Sequence, residues 1–137
     1  MQVERLKDII LRETEALKKL LSLLEKQHDM LLKNDIFALE GIIQELQFVN
    51  KEVAEIEVER RREAAGASMS SVVQSFRDEE LDISYRSIKK LLAQVQLQKD
   101  TNDMLIKQGL SFSNRMLSIV NPDRNVKTYN AYGKMKR

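Results

Sequence analysis

Apolar residues recur at alternating steps of three and four through three long stretches of this chain. That spacing selects α-helices that pack seam against seam. The first helix is expected over about Val3 to Lys33. Val3, Leu6, Ile10, Leu17, Leu20, Leu24 and Leu31 form one row, with Glu13 and Gln27 as its polar members. Ile9, Ala16, Leu23 and Met30 form a second row beside it. Two adjoining rows exceed what a two-stranded coiled coil needs, so this helix should touch two neighbours. At about 1.5 Å per residue it would be about 45 Å long.

Asn34–Asp35 is the first punctuation, and either residue can cap a new helix. So short a connection forces an antiparallel hairpin. The second helix is expected over about Ile36 to Ala65, with a seam of Leu39, Ile42, Leu46, Val49, Val53 and Ile56 flanked by Ile36 and Ile43. Arg60, Arg61 and Arg62 complement the dipole at its C-terminal end, and Gly66 suits the residue just past it. Ala64 to Ser75 is small and low in charge. Val72, Val73 and Phe76 there are spaced for a short helix or an ordered loop covering one end of a bundle. Asp78, Glu79 and Glu80 place negative charge at the next helix start, with Asp82 and Ser84 as alternative caps.

The third long helix is expected over about Glu80 to Val120. Its seam is Ile88, Leu91, Val95, Leu105, Phe112, Met116 and Ile119, and Gln98, Asn102 and Gly109 share the row as its weak section. Polar residues there cost stability unless paired, though they can fix register. Leu92, Ile106, Leu110, Leu117 and Val120 make a second row, so Met104 to Val120 carries more apolar surface than one neighbour covers. Pro122 ends the helix and sets Asn121 as its boundary. The expected fold is all-α: an elongated, up-and-down antiparallel helical bundle of three long helices plus a short helical segment. The bundle would occupy residues 1–120, and residues 121–137 would form a flexible basic C-terminal tail.

Composition narrows function by exclusion. Charged residues make up 32% and aromatics 5%, which does not fit a β-sandwich. The absence of cysteine excludes disulfides and thiol chemistry. Early charges at Glu4, Arg5, Lys7 and Asp8 do not fit a signal peptide, and no apolar run approaches the roughly 20 residues of a membrane span. A soluble, cytoplasmic protein is expected. Residues 1–120 carry 18 basic and 20 acidic side chains, and residues 121–137 carry five basic against Asp123. A slightly acidic body is a poor platform for nucleic acid. His28 is the only histidine, too few for a metal site, and is expected to be partly exposed near a helix end. The arginine run sits among Glu57, Glu59 and Glu63 and reads as a solvated helix end. The four glycines are scattered and form no phosphate loop. No enzyme chemistry and no cofactor are expected.

Two features invite a binding role. Met104 to Val120 fits bundle core, a homodimer seam or an adaptable groove for a partner helix. Met104, Phe112 and Met116 suit a surface that adjusts to its partner. The tail makes a weak case for membrane binding. Tyr129 and Tyr132, with Val126, argue instead for docking into a protein pocket.

The run NDMLIKQGLSF at Asn102–Phe112, followed by Thr128–Tyr129 and Tyr132–Gly133, resembles the FlgN-type flagellar export chaperones. Members share an Asn just ahead of a Leu pair, an apolar helix, then a tail Tyr and a Gly. The resemblance implies a chaperone that binds hook–filament junction proteins in the cytoplasm, shields their C-terminal helix, prevents premature assembly and delivers them to the type III export gate. It places partner binding at Met104, Leu110, Phe112, Met116, Leu117, Val126, Tyr129 and Tyr132. It places export-gate docking at Tyr129, with Tyr132 as a competing aromatic. The alternative is a structural coiled-coil adaptor that homodimerises through the surplus face.

Overall fold

The computed structural model describes residues 2–120. They form α1 (Val3–Leu32), α2 (Ile36–Ala64), α3 (Met69–Phe76) and α4 (Glu79–Val120). The all-α bundle expected from the heptad spacing is found. Asn121, Pro122, Val126, Tyr129 and Tyr132 lie outside the described residues. The chain divides into two compact units, Met1–Asn102 and Asp103–Arg137.

In the first unit α1 and α2 form the antiparallel hairpin. Asp35 caps α2 by accepting the Ala38 N–H at 3.1 Å. Gly66 follows α2 at φ +85°, a left-handed conformation that glycine adopts without steric cost. The direction of α2 shows in its ion pairs with α1. Arg5 meets Glu63 at 2.8 Å, Arg12 meets Glu59 at 2.7 Å, and Lys19 meets Glu52 at 3.6 Å. These are largely exposed pairs, and each contributes little alone.

α3 closes the core between the end of α2 and the start of α4. Ser68 caps it, Val73 is buried, and Met69, Val72 and Phe76 pack against the core. Asp78, rather than the alternative caps Asp82 and Ser84, begins α4 by accepting the Leu81 N–H at 3.0 Å. A later start would take the fully buried Leu81 out of the first turn. The Leu81 N–H and the Lys7 ammonium, 3.2 Å away, hold the Asp78 carboxyl below its usual range. Lys7 ties the start of α4 to the start of α1, so within this unit α4 runs parallel to α1.

Both expected rows of α1 contribute to the core. Leu6, Ile10, Leu17, Leu20 and Leu24 are buried, as are Ile9, Ala16 and Leu23. α2 adds Ile42, Leu46, Val49 and Ile56, and α4 adds Leu81, Ile88 and Val95. Each Leu, Ile or Val among them contributes roughly 1.5–3 kcal/mol when fully buried. The double row on α1 therefore has the physical reason anticipated: one helix is packed on two sides.

Arg60 departs from the expected solvated helix end. Its Nε donates to Glu13 at 3.2 Å, and Glu13 is 4% exposed within the α1 row. Arg61 behaves as expected, exposed and paired with Glu57 on its own helix. Burial pushes the Glu13 carboxyl above its ordinary value, and Arg60 opposes that shift. Folding thus makes Glu13 easier to protonate than a free carboxyl, and Arg60 works against that. Arg60→Ala should destabilise the fold by about 3 kcal/mol at pH 7, because it strands a buried charge. The loss should be smaller at a more acid pH, because the unpaired Glu13 then takes up a proton and no longer strands a charge. Urea melts at the two pH values check both the size and the direction.

Candidate functional site

The buried row of α4 advances by seven residues: Leu81, Ile88, Val95, Asn102. Its last member is an amide, 1% exposed. Asn102 Nδ2 donates to the Leu24 carbonyl at 2.8 Å and to Gln27 Oε1 at 2.9 Å. Its Oδ1 accepts from Gln98 Nε2 at 3.0 Å and stands 3.3 Å from His28 Nδ1, which donates when it carries the ring proton. Two donors and two acceptor sites exhaust the capacity of the amide. The section expected to be weak is therefore fully paired at Asn102, with Gln98 as one of its partners.

Three polar side chains gain a meaning the sequence did not disclose. Gln27, the polar member of the α1 row, faces Asn102. Gln98 supports Asn102 from the preceding turn. His28 is half-buried and belongs to the same set, rather than only marking a helix end. The signal available was spacing: Asn102 falls in the apolar heptad row, where a buried amide needs partners. The neighbouring α1 ends at Leu32, one turn past His28, while α4 continues to Val120.

In the second unit, residues 103–120 form one helix in which no residue is buried. On a helical projection at about 100° per residue, Leu105, Phe112, Met116 and Ile119 make one row. Ile106, Leu110, Leu117 and Val120 make another. Phe112 is 64% exposed and Leu110 is 61%. Lys107, Ser111, Asn114 and Ser118 lie on the opposite side. The apolar face spans about 180°, against the roughly 100° of an ordinary amphipathic helix. The change is visible in one register: Lys89, Gln96 and Asp103 are followed at seven-residue steps by Leu110 and Leu117.

Of the residues singled out from sequence, Leu110, Phe112, Met116 and Leu117 share this face. Met104 is exposed but projects among Ser111 and Arg115, outside it. Ile106, Ile119 and Val120 belong to the face with the same standing, although the sequence reading left them out of the site. Gly109 lies between the two rows, and a Cβ there would meet nothing within 4 Å. The face offers exposed apolar area, one adaptable thioether at Met116, and no titratable group within the rows. Among the described residues no three His, Asp or Glu side chains converge as metal ligands, and no helix is long and apolar enough to cross a membrane.

A family model described as FlgN protein matches residues 1–137. No curated protein and no solved structure matches the chain.

Burial separates two kinds of residue within one helix. Asn102→Ala should cost about 2 kcal/mol in urea denaturation, since the buried Leu24 carbonyl and the half-buried Gln27 and Gln98 lose a partner. Phe112→Ser should change stability by less than about 0.5 kcal/mol, as expected for an exposed side chain.

Proposed function

The chain belongs to the FlgN family, which gives it the general role of a flagellar export chaperone, and from that premise we propose that it binds hook–filament junction proteins through the exposed face of α4. The observation that carries this reading is the uncovered pair of apolar rows between Leu105 and Val120. A surface of that width on a free chaperone matches a role that ends when a partner helix arrives. Burial of apolar area supplies the affinity, at about 25 cal/mol per Å² before ordering costs.

In this reading Leu110, Phe112, Met116 and Leu117 form the floor of the contact. Val126, Tyr129 and Tyr132 of the basic tail complete it, and Tyr129 presents the loaded complex to the export gate. The partner contributes a C-terminal helical segment that would otherwise assemble or aggregate in the cytoplasm. The work is non-covalent and needs no cofactor. Within residues 1–102, Asn102 holds the register of α4 against α1.

Co-expression with a hook–filament junction protein tests the reading. The two should co-purify, and Phe112→Ser should cut the affinity about tenfold or more while leaving the thermal midpoint in place. Removal of residues 121–137 should weaken binding with no loss of helical content. Unchanged affinity in both variants would contradict it.

A further inference from the structure

The outer side of α2 carries two aromatic rings that the core does not use. Phe37 is 90% exposed and Phe48 is 70%, both more than Phe112. Neither belongs to the inner row of Ile42, Leu46 and Val49. On the helical projection the two rings stand about 20° apart, with Gly41 and Gln44 between them. They are separated by about 16 Å, three turns of helix. A helix side that only faces water carries polar residues, whereas exposed aromatics concentrate at contact surfaces.

Phe48 also walls a cleft of about 490 Å³ between α1 and α2. The buried Leu23 and Val49 form its floor, and the exposed Lys19, Gln44 and Glu45 form its rim. The cleft has room for a large apolar side chain arriving from outside, and Phe37 offers a second contact three turns away.

Charge selects the occupant. On the projection Glu40 and Glu45 flank the aromatic stripe, one on each edge, and both are exposed. Between Ile36 and Asn50 α2 has no basic residue. Farther along, the carboxylates are matched: Glu52 meets Lys19 at 3.6 Å, and Glu59 meets Arg12 at 2.7 Å. Glu40 and Glu45 make no such pair among the described residues. A second copy docking through this stripe would set these carboxylates against their own counterparts. Nucleic acid or an anionic lipid surface would meet the same repulsion. A helix with Lys or Arg on both sides of an apolar seam meets opposite charge at each edge and a ring at each end.

We propose that the outer face of α2 from Phe37 to Phe48 is a second docking surface, which takes an amphipathic helix of another protein whose apolar seam is flanked by Lys or Arg. The site lies wholly within the first unit and does not rest on the junction-protein reading.

The test uses the full-length chain and two designed helical peptides that share a leucine heptad seam. One has Lys at all flanking positions and the other has Glu. The Lys-flanked peptide should bind about tenfold or more tightly than the Glu-flanked one at low salt, and the gap should narrow as ionic strength rises. Combining Phe37→Ser with Phe48→Ser should weaken the Lys-flanked peptide about tenfold or more. The thermal midpoint should stay in place, because both side chains are exposed. Combining Glu40→Lys with Glu45→Lys should reverse the preference between the peptides. Equal affinity for the two peptides, no binding of the Lys-flanked one, or a loss of its binding in Phe112→Ser but not in the Phe37, Phe48 variant would overturn the proposal. So would a concentration-dependent dimer in sedimentation that the Phe37, Phe48 variant abolishes, since a second copy would then occupy the face.

Discussion

The amide of Asn102 decides where packing ends. Leu81, Ile88 and Val95 hold α4 by apolar burial, which is non-directional and tolerates sliding. Asn102 adds contacts that do not tolerate it. Its two N–H groups must find the Leu24 carbonyl and Gln27 on α1, and its oxygen faces His28 on the same helix. A one-turn slip would take the amide away from Leu24 and Gln27 and bring Lys99 or Leu105 to that place instead. Buried polar groups in heptad seams commonly fix register in this way.

The two units obey different economies of surface. In the first, apolar rows are matched by apolar rows, and the buried carboxylate of Glu13 is matched by Arg60. In the second, the same seven-residue pattern continues without a buried residue. Leu110 and Leu117 extend to a second side what Phe112 and Met116 begin on the first. A helix with that profile is stable as secondary structure but incomplete as a surface. Incompleteness of this kind suits a chaperone, whose binding face must be open before the partner is made.

Much of the fold was legible in the sequence because it depends on periodicity and punctuation. The double row on α1, the Asp35 cap and the short helix around Val73 all follow from local patterns. The start of α4 was less legible: Asp78 won over Asp82 and Ser84 because Leu81 had to be buried, a tertiary demand. The pairing of Glu13 with Arg60, and of Asn102 with Gln27 and His28, was invisible for the same reason. Those partners are 47 and about 75 residues apart in the chain, and only the packing register joins them. For the candidate site, the surplus of apolar residues could be read from spacing, and Gly109 could be seen in the row. That Met104 falls outside the face could have been read from the same helical projection, whereas the exposure of the face required the structure.

The central claim is that residues 103–120 are the surface a partner covers. Amide hydrogen exchange on the full chain, with and without a bound hook–filament junction protein, reads this most directly. The account predicts strong added protection along residues 103–120 and little change along α2. Protection confined to α1 and α2, with residues 103–120 exchanging as in the free chain, would contradict it.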